Sequence, residues 1–109
     1  MAATFKNARA ALDDTNPTVV YTCPSATTAI VLGCQVANVS PNPQELEFWW
    51  TDLSDGDQIT YLAETVLVPD DAAYEPIGGK LVLEAGDTLT GLSEDADELE
   101  VTVSVLELT

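Results

Sequence analysis

The sequence predicts an all-β domain, an antiparallel β-sandwich of the jelly-roll type with seven to nine strands. Four separate segments alternate apolar and polar residues with the period of two that is typical of half-buried strands. Turn-forming residues recur about every 8–12 positions, as they do in sandwiches and barrels. Helical spacing of apolar residues is not sustained in any segment, so we expect no helix longer than a turn or two.

The chain divides into an N-terminal arm and loop at residues 1–17 and a β-sandwich domain at residues 18–109. The loop is marked by the turn-forming cluster at 13–17. For the arm we keep two interpretations: a partly ordered terminus, or a strand that pairs with a neighbouring subunit. Residues 18–23 are β-branched and aromatic and predict the first strand of the sandwich, and 24–28 predict its turn.

Two strands with clear alternation follow, at residues 29–39 and 45–51, separated by a loop with two prolines. In the first strand the side chains predicted to face the core are Ile30, Leu32, Cys34 and Val36. In the second strand they are Leu46, Phe48 and Trp50. Trp49 is thereby assigned to the polar face, where its ring either covers a neighbouring strand or serves as a contact residue.

The second half of the chain predicts four more features. Residues 52–57 form a hairpin loop, and 58–68 form a strand with a bulge between Tyr61 and Leu62, where the apolar phase shifts. Residues 78–90 read as strand, glycine-containing corner and strand, with Leu81 and Leu83 on one face. In the closing strand the predicted core residues are Leu99, Val101, Val103 and Val105.

The charge of the chain is strongly one-sided. It has 19 carboxylates against three cations, Lys6, Arg9 and Lys80, and a formal net charge of −16. Such a surface repels phosphate, so we expect no direct contact with nucleic acid or anionic membranes. No apolar run approaches the length of a membrane span, and no apolar segment follows the cations near the N-terminus as a secretion signal requires.

The residues needed for common catalytic sites are missing. The chain has no histidine, so neither Cys23 nor Cys34 has an imidazole partner, and we predict no enzymatic activity, no cofactor and no metal site. The acidic loop at 52–57 lacks the ligand spacing of an EF-hand. If residues 24–28 close a hairpin, the two cysteines lie several ladder positions apart, and we predict that they do not pair.

Several segments, in this order, resemble small virion proteins of tailed bacteriophages. The segments are 19–22, Pro24, 27–33, 36–39, 61–63, 66–69, 81–89 and 101–107. The resemblance implies a β-sandwich that decorates or cements the head, or one that sits at the neck, tail or fibre base. It also implies a homo-oligomer, often a trimer, whose main partner is the major capsid protein.

The acidic balance of the chain favours a place on the exterior of that particle, away from the packaged genome, after assembly in the bacterial host cytoplasm. Because the arm holds two of the three cations and Trp49 lies on a polar face, the predicted contact residues are Phe5, Lys6, Arg9 and Trp49. A second hypothesis is a carbohydrate-binding module in which Trp49 stacks on sugars together with Tyr61 or Tyr74.

Overall fold

The computed structural model describes residues 2–109, which form two antiparallel β-sheets packed as a sandwich. The strands are β1 Ala3–Ala11, β2 Thr18–Thr22, β3 Thr28–Asn38, β4 Gln44–Asp52, β5 Gln58–Val68, β6 Ala73–Tyr74, β7 Leu81–Leu83, β8 Thr88–Ser93 and β9 Leu99–Leu108. A 3-10 helix, Leu53–Asp55, lies between β4 and β5. Among the described residues no helix has the length and hydrophobicity needed to cross a membrane.

The strand order is that of a jelly roll. Sheet A has the order β1-β9-β3-β6, with β7 also paired to β3, and sheet B has the order β2-β8-β4-β5. The chain changes sheet at every connection except β4–β5 and β6–β7, so neighbours in sequence are seldom neighbours in a sheet. This architecture confirms the predicted fold class and strand number.

The core lies between the two sheets and follows the alternation of the strands. In β9 the four predicted core residues are buried, while Glu100 and Thr102 are exposed. In β4, Leu46 and Phe48 are fully buried and Trp50 is half-buried. The prediction of the core face is therefore confirmed for both strands, because each keeps a regular pleat beside its core-facing partners.

The predicted face of β3 is wrong in its first half. A bulge between Val31 and Gly33 shifts the register against β9, so the inward positions are Ala29 and Val31 before the bulge. After the bulge, Cys34 and Val36 face the core as predicted. One extra residue reverses which side chains point inward, so the bulge turns Ile30 and Leu32 toward the outside.

The turn at residues 24–28 does not close the hairpin considered for the two cysteines. β2 pairs with β8 in sheet B, whereas β3 pairs with β9 in sheet A, so the turn carries the chain from one sheet to the other. Cys23 and Cys34 are both buried free thiols. Burial raises the pKa of the Cys34 thiol to about 12, and it also raises that of Cys23, so both thiols stay protonated at neutral pH.

β5 has the irregularity that its sequence predicts. Its register against β4 shifts on both sides of Ala63, and Thr65 has a positive φ of 49°. The shift begins between Tyr61 and Ala63, so Leu62 is the residue left out of the ladder. The predicted bulge is confirmed, and the second shift, between Ala63 and Val66, lets Ala63 and Val68 both reach the core.

The N-terminal segment lies as a strand along the edge of sheet A. β1 pairs with β9 over its full length, from Ala3 opposite Leu108 to Ala11 opposite Glu100. Leu12, which follows directly, is fully buried and lies against Gly91, where an added Cβ would come within 3.0 Å of its side chain. Whether the sandwich folds without residues 1–17 stays a prediction, since β1 and Leu12 both contact it.

Leu12 gives a direct measure of how much this segment stabilises the domain. We expect Leu12→Ala to lower the free energy of unfolding by about 2–5 kcal/mol, because it opens a cavity between the sheets. The matched control is Leu67→Ala, at a position that is 58% exposed, which should cost well under 1 kcal/mol. Urea unfolding followed by circular dichroism measures both, and equal losses would show that Leu12 does not contribute to the core.

Candidate interaction surface

The outer face of sheet A, the side turned away from the core, carries a continuous apolar row. Phe5 in β1 lies opposite Leu106 in β9, Leu106 lies opposite Ile30 in β3, and Ile30 lies opposite Val82 in β7. Phe5 is 75% exposed and Val82 is 54% exposed, while the two middle residues are half-buried. This apolar row therefore crosses four adjacent strands at the surface.

A second row, parallel to the first, is polar and carries opposite charges at its two ends. Arg9 in β1 lies opposite Thr102, and Thr102 lies opposite Gln35 in β3. Val36 pairs with Tyr74 in β6, which places Glu75 beside Gln35 at the far edge. Glu75, Gln35 and Thr102 line one shallow depression, so Glu75 faces the same side of the sheet. We call these four residues the polar row.

Between the two rows the surface has one knob and one hollow. Leu32 projects from the bulge in β3 and is 42% exposed. Beside it, over β9, lies a depression of about 200 Å³ lined by Phe5, Asn7, Leu32 and Ser104. The bulge thus places a protruding aliphatic side chain next to a hollow.

Carboxylates are scarce on this face. In β1 and β9 the outward-facing charged residues are Arg9 and Glu100, and β3 and β7 present none outward. Glu75 adds a carboxylate at the β6 edge. With 19 carboxylates in the chain, most of the net charge of −16 lies on other surfaces. Another acidic molecule would meet the least repulsion here.

The inner side of β1 is held by a buried carboxylate. Glu107 in β9 accepts a hydrogen bond of 2.6 Å from the Tyr21 hydroxyl, and Lys6 Nζ lies 3.4 Å from its other oxygen. The Tyr21 hydrogen bond and Lys6 lower the pKa of Glu107 against the opposing effect of burial. Burial, followed by the nearby carboxylate, raises the pKa of Tyr21. Lys6 thus fastens β1 to the sandwich.

This contact predicts a pH dependence of stability. Because the folded pKa of Glu107 is lowered, its contribution is present above the ordinary carboxyl pKa of 4.5 and is lost as the pH falls through the folded value. We expect Tyr21→Phe to cost about 1–3 kcal/mol at pH 7 and less at pH 3. Urea titrations of both proteins at the two pH values measure this difference. A cost that is the same at both pH values would contradict the assignment.

Trp49 lies in the other sheet. It sits in β4 on the outside of sheet B and packs edge-to-face on Tyr61 in β5, with ring centroids 5.6 Å apart and planes at 61°. The ring thus covers the neighbouring strand, as one of the two interpretations predicts. Tyr74 lies in β6 of sheet A, partly buried against the core. A sugar-stacking surface would therefore include Trp49 and Tyr61 but not Tyr74.

An acidic cluster lies at the corner between β7 and β8. Carboxylate oxygens of Asp52, Glu84 and Asp87 come within 4.8 Å of one another, an arrangement that oxygen-preferring cations use. Both oxygens of the buried Asp87, however, already accept protein hydrogen bonds from the backbone N–H groups of Leu53 and Glu84 and from the Trp50 indole. These hydrogen bonds make Asp87 an internal anchor of this corner.

The four predicted contact residues do not form one site. Phe5 and Arg9 share the outer face of sheet A, Lys6 points inward, and Trp49 is in sheet B. The residues that sequence reasoning missed are Ile30, Val82 and Leu106. The sequence carries a signal for Leu106, because the outward positions of β9 change from Glu100, Thr102 and Ser104 to Leu106 and Leu108.

No protein-family model matches the chain, and no curated protein matches its sequence. Three similar solved structures are a protein of Bacillus endospore appendages, which form a family of disulfide-linked pili, a chain of the T13 IBDV viral particle, and a pentameric capsid protein from metagenomic phage sequences. The appendage protein superposes with a TM-score of 0.61 at 13% identity, over 99% of this chain and 87% of that one.

The viral chain superposes with a TM-score of 0.58 at 8% identity over 96% of this chain, which spans only 30% of the viral chain's length. The phage capsid protein reaches a TM-score of 0.42 at 21% identity, over 93% of this chain and 59% of that one. At these identities the likeness to the appendage and viral chains shows a shared fold. This chain thus shares its β-sandwich fold with a chain of the viral particle and with the spore appendage protein.

Proposed function

We propose that this protein is a structural subunit of an assembled particle, and that it works by contact with other copies and other proteins. More specifically, it serves as a decoration or cement protein on the outside of a tailed-phage head, bound to the major capsid protein. The observation that carries the proposal is the pairing of a jelly-roll sandwich that takes up nearly the whole chain with one sheet face almost free of carboxylates.

The chemistry of the described residues supports a contact function. The chain contains no histidine, and its two thiols are buried and protonated at neutral pH. The acidic surface favours an outward-facing place, away from packaged DNA. The resemblance of the sequence to small virion proteins of tailed phages supports a place on a phage particle. It also implies trimers, with the neck, tail or fibre base as alternatives to the head.

The test is mass spectrometry of purified virions of the phage that encodes the chain, followed by gold-labelled antibody to locate the protein. We expect stoichiometric amounts on the head surface. Labelling at the neck or tail would keep the structural role and change the station. Absence from virions, with binding to glycan arrays through Trp49 and Tyr61, would replace the proposal by the carbohydrate-binding hypothesis.

A second candidate is a subunit of a surface appendage. It is favoured by the superposition on the Bacillus endospore appendage protein, which covers 99% of this chain and 87% of the other, so the two chains have nearly the same extent. Negative-stain electron microscopy of concentrated protein separates the two candidates. Filaments would support the appendage, and discrete particles that bind to purified phage heads would support the decoration protein.

A further inference from the structure

We propose that the outer face of sheet A is a self-complementary contact, through which two copies of this chain associate about a two-fold axis parallel to the strands, between β9 and β3. The inference rests on the proposed function and names the surface by which the subunit meets its own copy. Three independent features of the face fit the same axis: the apolar row, the Leu32 knob with its hollow, and the polar row.

The apolar row fits because all four of its residues are apolar, so that its two ends can meet each other. A two-fold axis between β9 and β3 turns the row end over end, so Phe5 of one copy meets Val82 of its partner and Leu106 meets Ile30. Two antiparallel sheets that pack face to face bury such rows against each other at a separation of about 10 Å. The contact removes Phe5, the most exposed large apolar side chain of the described residues, from water.

The bulge fits the same axis. Leu32 lies in β3 at a level between the two rows, and the depression over Ser104 lies in β9 at the same level. Because β3 and β9 exchange places under the rotation, Leu32 of each copy falls on the hollow of the other. Leu32 takes no part in this chain's own core. In the proposed contact it fills a hollow on the partner copy, which gives the bulge a function.

The polar row fits through its charges. Arg9 and Glu75 lie at opposite ends of one row, and the same rotation brings Arg9 of each copy to Glu75 of the other. Within residues 2–109 the structure's ion pair joins Lys6 to Glu107, which leaves both Arg9 and Glu75 free for such a contact. Each two-fold contact thus forms two equivalent ion pairs, and opposite charges of this kind fix the register of an interface.

The net charge sets the conditions for association. Each copy carries −16, so the approach of two copies is opposed over long distances at low salt. At 1 M salt the Debye length falls to about 3 Å, which removes that repulsion and leaves the apolar contact. The face measures about 15 by 33 Å and would bury about 1,000 Å² in total, the range of weak interfaces. We therefore expect weak association that salt strengthens.

The first experiment measures self-association by analytical ultracentrifugation up to about 1 mM protein, in 0.05 M and 1 M NaCl. We expect even-numbered species in multiples of the 11.6 kDa chain, more populated at high salt. If the subunit is a trimer, the same contact joins trimers in pairs. A protein that stays an isolated monomer or trimer under all these conditions overturns the proposed contact.

Two matched double variants locate the contact. Phe5→Glu with Val82→Glu places carboxylates at both ends of the apolar row and should weaken association about tenfold or more. Val19→Glu with Ile59→Glu makes the same change of charge at sheet B positions that are 54% and 47% exposed. The control should have little effect, and thermal melting checks that both variants fold. Equal weakening of the two variants would overturn the proposal.

A charge exchange tests the predicted axis itself. Arg9→Glu makes the chain more acidic, and Glu75→Arg makes it less acidic, yet each places like charges against each other and should weaken association. The double variant Arg9→Glu with Glu75→Arg should restore it. Stronger association of Glu75→Arg alone would mean that net charge and not this pair controls the contact, and would overturn the axis. None of these outcomes bears on whether the protein is found in virions, so the proposed function fails or stands separately.

Discussion

Val103→Asp is expected to lower the free energy of unfolding by several kcal/mol, a large fraction of the stability of a domain of this size. Val103 is fully buried in β9, with Ala8 in β1 and Cys34 in β3 as its ladder partners, and none of these residues can pair with a carboxylate. An unpaired charge at such a position costs several kcal/mol, about 3–5 kcal/mol or more. A small domain has only about 5–15 kcal/mol of stability to lose.

The control is the neighbouring residue. Thr102→Asp makes a similar change one position away, on the outer face of sheet A, where the side chain is exposed. Its effect on the free energy of unfolding should stay within about 0.5 kcal/mol. Circular dichroism and urea unfolding of dilute protein compare the two variants. Two folded variants of similar stability would mean that β9 presents its other face to the core.

The sequence predicts the inward and outward faces of a strand well when the strand is regular. In β9, Val101, Val103 and Val105 alternate with the polar residues Thr102 and Ser104, and the structure buries all three valines. The prediction for β3 is wrong at Ile30 because residues 29–32 are apolar on both faces of the strand. The apolar pattern therefore does not show that a bulge reverses which face points inward. The burial of one face decides the register of a strand, and which face is buried depends on partner strands that are distant in sequence.

The candidate surface was harder to predict because it joins strands that the sequence separates. The apolar row takes Phe5 from the first strand and Leu106 from the last, with Ile30 and Val82 between them in space. Alternation tells which residues of one strand share a face, but it does not tell which strands are adjacent. In a jelly roll the chain passes from one sheet to the other at almost every connection. The connection between β2 and β3 is therefore a crossover and not a hairpin.

Asp87 holds together the corner at which the chain leaves sheet A for sheet B. It is fully buried and accepts hydrogen bonds from Leu53 N at 3.1 Å, from Glu84 N at 2.9 Å and from the Trp50 indole at 3.3 Å. Gly86 beside it has a φ of 89°, and an added Cβ there would collide with the Leu53 side chain. One carboxylate thus joins the β7–β8 corner to β4 and to the 3-10 helix.

We expect Asp87→Ala to lower the free energy of unfolding by about 3–5 kcal/mol, because it leaves three N–H donors without their acceptor. Asp87→Asn should cost nearly as much. One amide position can still accept from Leu53, but the other carries an NH₂ group that would face the two N–H donors of Glu84 and Trp50. The matched control is Asp70→Ala, which removes an exposed carboxylate in the β5–β6 loop at little cost.

Urea unfolding measures the loss, and amide hydrogen exchange at Leu53 and Glu84 reports whether it begins at this corner. Faster exchange at both amides in Asp87→Ala and at the Glu84 amide in Asp87→Asn, but at neither amide in Asp70→Ala, would place the effect at the predicted hydrogen bonds. An asparagine variant as stable as the wild type would show that an acceptor oxygen facing Glu84 and Trp50 is not required. The corner would then depend on the packing of Leu53 over Gly86, which Leu53→Ala would expose as the larger loss.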